Sequence, residues 1–132
     1  MARIYNPKDI VLTYDGMQVT GFADDSFITV SKNTDDYSHK VGVKGEVTIS
    51  VDADDTGTVT ISLDQRSPFI NIFNRMIKEG KYTNNILRPL TMIDMGENGD
   101  DISSEAYITK RGDQDFGRTS GNVDYQFVVM EI

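Results

Sequence analysis

From Asp55 to Gly80 the hydrophobic period changes once, from two to that of a helix, within the continuous stretch DTGTVTISLDQRSPFINIFNRMIKEG. Val59, Ile61 and Leu63 alternate with Thr58, Thr60, Ser62 and Asp64, the pattern of a strand with one buried side and one wet side. After Gln65 and Arg66 the apolar residues fall at Phe69, Ile72, Phe73, Met76 and Ile77, a single stripe along a helix. The stretch therefore predicts a strand followed by a helix over 67–80. Ser67 stands as N-cap, Pro68 at the first turn and Gly80 as the left-handed stop. A chain with this centre folds as a sheet with a helix packed on it.

The rest of the chain reads as strands and turns. Residues 1–8 read as an N-terminal arm. Asp15-Gly16 separates the apolar-rich runs 10–14 and 17–20, which predicts a hairpin with a type I′ turn. Ser26–Lys32 reads as a third strand. Residues 33–45 (NTDDYSHKVGVKG) lose the pattern and read as an exposed loop, long enough for a function of its own. Glu46–Asp52 alternates again, with Val47, Ile49 and Val51 inward and Thr48, Ser50 and Asp52 outward, and is expected to pair with 58–64 through the turn at 53–57. Residues 81–88 read as polar turn material. Short strands are expected at 90–95, at 102–110 and at 122–132, the last alternating Val123, Tyr125, Phe127 and Val129. The loops 96–101 and 111–121 separate these three strands.

Composition narrows the chemistry. One domain of 132 residues is large enough to bury roughly two-thirds of its unfolded surface. It contains no cysteine and one histidine, His39, so neither a disulfide framework nor a thiolate or multi-histidine metal site is open to it. No long apolar run or signal-type segment is visible, so no membrane anchor is expected and the chain reads as made and kept in a cytoplasm, or in something assembled there. The formal net charge of −8 argues against gripping nucleic acid, whose phosphates are held by clustered Lys and Arg. Sixteen Asp against five Glu suit a protein of turns and caps.

Three motifs suggest chemistry, and each has a simpler explanation. Asp55-Thr56-Gly57 is the triplet of aspartic proteases, which would make the chain half of a homodimeric enzyme. That dyad needs a buried site, and here Ala53 and Asp54 precede it. Asp52, Asp54, Thr56 and Gly57 begin like a calcium loop, but Leu63 stands where the bidentate Glu belongs. Arg111-Gly112-Asp113 is a short match of the kind chance produces often. The expectation is no enzyme, no cofactor and no metal.

The order of Gly21-Phe22-Ala23-Asp24-Asp25-Ser26-Phe27-Ile28-Thr29-Val30, of Val41-Gly42-Val43-Lys44-Gly45-Glu46-Val47, and of Thr56–Leu63 leading to Ser67-Pro68 resembles a family of bacteriophage structural proteins, the tail tube proteins of contractile tails. Asp115-Phe116-Gly117-Arg118 with Gly121-Asn122 extends the resemblance over nearly the whole chain. The resemblance implies a mainly β fold, a β-sandwich or rolled antiparallel sheet with one flanking α-helix, as a single tail-tube domain over 1–132. Six subunits would close a ring-shaped β-barrel, and the hexameric rings would stack helically into a hollow tube that conducts viral DNA into the host during ejection. A tail terminator or baseplate ring component is the alternative. Implied partners are further copies of the chain, the tape measure protein, the tail sheath, the baseplate and the tail terminator. DNA would pass through the lumen without specific binding. The implied location is the virion tail, assembled in the host cytoplasm.

The resemblance makes 33–45 the inter-ring loop, with Asp35, Asp36, His39, Lys40 and Lys44 offering ionic complementarity between stacked copies. It makes Thr48, Ser50, Asp52, Thr58, Thr60, Ser62 and Asp64 the channel lining. Six copies at −8 each would give a ring −48 formal charges, past which a polyanion slides without sticking.

Overall fold

The computed structural model describes residues 10–22, 28–95, 101–113, 117 and 121–132. In chain order the elements are β1 (Ile10–Tyr14), β2 (Met17–Gln18), β3 (Ile28–Lys32), β4 (Tyr37–Val41), β5 (Val47–Val51), β6 (Gly57–Asp64), α1 (Phe69–Thr83), β7 (Arg88–Asp94), β8 (Ile102–Arg111) and β9 (Asn122–Val129). Seven strands form one antiparallel sheet in the order β2-β1-β7-β8-β9-β6-β3, and β4 with β5 forms a separate two-stranded sheet. The expected N-terminal arm, part of the expected turn at 21–25, the first two residues of the expected third strand, and parts of the expected loops 96–101 and 111–121 lie outside the described residues.

The core sits where the sequence alternation put it. Val59, Ile61 and Leu63 of β6 and Val123, Tyr125, Phe127 and Val129 of β9 are all fully buried, and the two strands pair in register from Gly57–Val129 to Asp64–Asn122. Helix α1 lays Phe69, Ile70 and Phe73 on this side of the sheet, with Ile72, Met76 and Ile77 half-buried along the same stripe. Phe73 is the hub. Its ring meets those of Tyr125, Phe127, Phe69 and Tyr14 at centroid distances of 5.3, 5.6, 5.7 and 6.1 Å, and the contacts to the two β9 rings and to Tyr14 are edge-to-face.

The expected β1–β2 turn forms with both central residues at positive φ, 53° at Asp15 and 78° at Gly16, as a type I′ turn requires. Arg88 reaches this turn and pairs with Asp15 at 3.1 Å. The helix ends later than expected. Gly80 lies inside α1, and a Cβ there would stand 2.7 Å from Ile86 Cγ2, so its role is to let the following segment pack closely. Asn84 is the left-handed cap, at φ 58°, and its N–H bonds the Gly80 carbonyl. At the other end Pro68 occupies the cap position. Ser67, one residue earlier, is buried, accepts from the Phe69 N–H and donates to the Thr20 carbonyl at 2.8 Å.

Three expectations need correction. First, among the described residues no sheet closes into a barrel. The large sheet is open from β2 to β3, because β2 is only two residues long and the chain then crosses to the β6 side through one isolated bridge, Phe22–Leu63. Second, 33–45 is not a loop, since 37–41 is strand β4. Third, β5 pairs with β4 and not with β6, which is flanked by β3 and β9. Every residue of β4 and β5 is exposed, so the second sheet covers no face of the first and the two do not make a sandwich.

Burial raises the Tyr14 hydroxyl from its usual 10 to about 12, with Asp15 acting in the same direction and Arg88 against it. The hydroxyl donates to the Ala106 carbonyl at 3.1 Å. Tyr125, hydrogen-bonded to Asn74 Oδ1 at 2.8 Å, is raised mainly by burial too. A raised folded value means the fold favours the neutral phenol. The resulting stability is complete below pH 10 and is lost as pH rises from there through about 12. Urea midpoints measured between pH 9 and 12 are expected to fall in the wild-type chain. In Tyr14→Phe they fall less, the remainder belonging to Tyr125.

Candidate assembly surfaces

The β4–β5 hairpin projects as an arm, and the residues at its base hold it in place. The Asp52 N–H bonds the Asp36 carbonyl at 2.9 Å and the Asn33 N–H bonds the Thr56 carbonyl at 3.2 Å. Asn33 Oδ1 accepts from the Thr58 hydroxyl at 2.7 Å, its amide donates to Thr56 Oγ1 at 3.0 Å, and the Thr34 hydroxyl donates to the Asp54 carbonyl. Asp54 accepts from both the hydroxyl and the N–H of Thr56, which hold its carboxyl below the usual range. The Lys32 ammonium hydrogen-bonds the Asp36 carboxylate, the main reason its pKa is raised, and lies 3.7 Å from Asp55. At the tip Gly45 turns at φ 86°, and the Gly42 N–H bonds the Glu46 carbonyl at 2.7 Å. Asx turns and cross-strand bonds of this kind fix where an arm points.

The arm has two unlike faces. Paired residues share a face in an antiparallel ladder, so Tyr37 with Val51, His39 with Ile49 and Val41 with Val47 line one side, while Ser38 with Ser50 and Lys40 with Thr48 line the other. The first side is apolar apart from its histidine, yet it is open to solvent: Ile49 is 70% exposed, Val51 76% and Tyr37 68%. An isolated two-stranded hairpin is at best marginally stable in water, and a contiguous exposed apolar face on a protein surface marks a contact site.

The large sheet carries a second surface on the side away from α1. Its rows, read across the strands, include Ser31-Thr58-Val128-Tyr107, Thr29-Thr60-Gln126-Lys110, Ser62-Asp124, Asp64-Asn122 and, on the β1 side, Thr13-Thr91-Ser103 with Val11-Ile93 and Pro89-Glu105 on either side of it. Hydroxyls and amides dominate its β3, β6 and β9 part. The Ser62 hydroxyl donates to the Asp124 carboxylate at 2.6 Å, and Asp64 accepts from the Arg66 N–H, so that acid also secures the turn into α1.

The structure separates the residues expected to form one lining. Thr58, Thr60, Ser62 and Asp64 lie on the wet side of the large sheet, whereas Thr48 and Ser50 lie on the polar face of the arm and Asp52 at its base. The expected ionic group is also dispersed. Asp36 is paired at the base beside Asp35, Lys40 is on the polar face, Lys44 is at the tip, and His39 is centred on the apolar face. Sequence reasoning missed that apolar face. Its signal was the alternation of Tyr37, His39 and Val41, matched by that of Val47, Ile49 and Val51.

Among the described residues nothing resembles a catalytic centre. Asp55 of the protease-like triplet is exposed at the base of the arm within 3.7 Å of an ammonium, far from the buried carboxylate pair that chemistry requires. Arg111 ends β8, and the Gly112 N–H bonds the Asp124 carbonyl, so the adhesion-like tripeptide begins as the end of a strand still paired to β9. No group of three or more His, Asp or Glu among the described residues is placed to hold a metal ion. No described helix is long and apolar enough to cross a membrane.

The described residues thus present an antiparallel sheet with one helix, a clamped arm and a polar outer wall. A family model described as the bacteriophage PhiTE tail tube protein matches residues 12–132, and the chain belongs to that family of phage tail structural proteins, which is not catalytic. A search among curated proteins finds no match.

Proposed function

We propose that this chain, acting as one domain over its whole length, is the subunit of a contractile-tail tube. Copies join into hexameric rings, the rings stack helically, and the hollow tube conducts viral DNA during ejection. The observation that carries this reading is the pairing of two surfaces on one subunit: an arm with an uncovered apolar face and a wide hydroxyl-rich wall. The first suits attachment to another copy and the second suits contact with water. Thr58, Thr60, Ser62 and Asp64, with Thr29, Ser31, Asp124 and Gln126 beside them, form the channel wall. Thr48, Ser50 and Asp52, on the arm, extend it toward the next ring. The arm replaces the expected loop as the inter-ring element, with Asp35 and Asp36 at its root and His39, Lys40 and Lys44 along it. The tape measure protein, sheath, baseplate and terminator are the tube's further partners, in a virion tail assembled in the host cytoplasm.

Electron microscopy of the purified chain tests the assembly: six-fold rings and tubes are expected, single rings that never stack point to a terminator or baseplate ring, and compact monomers or dimers alone overturn the reading. The wall is tested separately. Thr60→Lys with Gln126→Lys changes each chain from −8 to −6 and puts cations in mid-wall. Tubes should form normally while DNA release from particles slows, with recovery at high salt as the attraction is screened. Unchanged release would remove these residues from the wall.

A further inference from the structure

We propose that the groove beside the C-terminal end of α1 is the seat for the arm of a second copy, so that each subunit offers one arm and one receptor. The inference rests on the reading that the arm couples one copy to another, and adds where on the other copy it lands.

After Thr83 the chain turns back through the left-handed Asn84 and enters β7 at Arg88. That turn borders two adjoining hollows of about 300 and 280 Å³, which share Asn84, Asn85 and Ile86. Met76, Ile77 and Ile108 line the first, and Leu87, Tyr107 and Met130 the second. The border is held in place. The Asn84 N–H bonds the Gly80 carbonyl, and the Thr83 hydroxyl donates to the Glu79 carbonyl at 3.1 Å and accepts from the Asn85 N–H at 3.3 Å. Gly80 leaves the space that Ile86 fills. Ile86 and Leu87 are exposed all the same, so the groove presents apolar surface that its own chain leaves uncovered.

Shape, polarity and charge each match the arm to this groove. The arm is a projecting ridge with one apolar face, and the groove is a recess with apolar walls. From Lys32 to Thr56, which takes in the whole arm and both of its roots, six acids (Asp35, Asp36, Glu46, Asp52, Asp54 and Asp55) stand against Lys32, Lys40 and Lys44, a net −3. Around the groove, the charged residues within two positions of any lining residue are the bases Arg75, Lys78, Lys81, Arg88, Lys110 and Arg111 and the acids Asp15, Glu79, Glu105 and Glu131, a net +2. Taking −3 and +2 from −8 leaves −7 on the rest of the chain. The groove is thus cationic on an otherwise acidic body, and an acidic arm is steered to it in preference to the remaining surface. Asp36 and Asp52 adjoin the Tyr37–Val51 pair, so the arm's root brings carboxylates and apolar side chains to the seat together. Those side chains gain by leaving water there.

Every residue of β4 and β5 is exposed, so the arm does not fill the groove of its own copy. The contact is heterologous, arm on one copy and groove on the other. Each joined pair keeps a free arm and a free groove, and addition continues until a ring closes or a filament grows.

Two variants test this. Lys81→Glu with Leu87→Glu, both at exposed positions, alters the groove, and Val47→Lys with Val51→Lys alters the arm. In sedimentation the groove variant is expected to associate at least about tenfold more weakly than the wild type. Mixed, the two variants are expected to form one-to-one pairs and nothing longer, because the intact arm of one meets the intact groove of the other. Cross-linking reads the same contact without removing it. The chain has no cysteine, so a short bis-maleimide should join an Ile49→Cys chain to a Leu87→Cys chain. Wild-type association of the groove variant, or cross-links between two Ile49→Cys chains in place of the mixed product, overturns the groove as receptor and leaves the arm as the coupling element. Wild-type association of the arm variant would show that the arm does not couple copies, overturning both readings together.

Discussion

Phe73→Ala is expected to lower folding stability by about 3–5 kcal/mol, a large share of the 5–15 kcal/mol typical of a domain. Phe73 is fully buried, and four aromatic rings from α1, β1 and β9 have centroids within 6.1 Å of its own. Truncation opens a void bordered by Tyr14, Tyr125 and Phe127. The first two are anchored by hydrogen bonds to Ala106 and Asn74, so the walls cannot readily collapse inward. Loss of the edge-to-face contacts adds to the cost of the cavity. Urea denaturation measures it, with Tyr82→Ala as the reference, because Tyr82 is 90% exposed and should change stability by under about 0.5 kcal/mol. A loss below about 1 kcal/mol at Phe73 would mean that the helix does not share the sheet's core as described.

The same burial explains which parts of the fold are legible in the sequence. Along β6 and β9 one side of each strand meets α1 and the other meets water, so the local period records the environment directly. Alternation alone therefore assigns Val59, Ile61 and Leu63 inward, and all three are buried. The arm fails that rule. Val47, Ile49 and Val51 alternate as cleanly, but nothing in their own chain covers them, and alternation does not say which molecule does the covering. Pairing β5 with β6 followed from their nearness in sequence. The actual ladder depends on β4, whose pattern is interrupted by His39 between Tyr37 and Val41. The closed barrel came from resemblance and not from any residue pattern, and the two-residue β2 leaves the sheet open. Half of the proposed channel wall is visible as the polar alternates of β6; the contributions of β3 and β9 need the register. Gly80 and Asn84 show the limit of cap reading: either residue could stop a helix, and the close approach of Ile86 explains why glycine is needed at the earlier position.

Val47→Lys with Val51→Lys is expected to abolish assembly, reducing association by at least about a thousandfold, while Thr48→Lys with Ser50→Lys changes it by no more than a few-fold. Both pairs move the chain from −8 to −6 and both lie on β5, so neither net charge nor strand separates them. What separates them is the face of the arm. Val47 and Val51 flank Ile49 on the apolar side, and burying such a side chain contributes about 1.5–3 kcal/mol. Replacing two of them removes that gain and leaves two ammonium groups to be desolvated without partners, which makes a loss beyond about 4 kcal/mol the natural result. All four positions are exposed in the subunit, so circular dichroism and urea midpoints should match the wild type and loss of assembly cannot be put down to unfolding. Light scattering and electron microscopy then read the contrast. If the polar-face pair were the one to stop assembly, coupling through lysines, aspartates and hydroxyls would be the better account and the apolar face would have no assigned role. If the apolar-face pair alone stops it, the uncovered side of the arm is the surface by which one subunit holds the next.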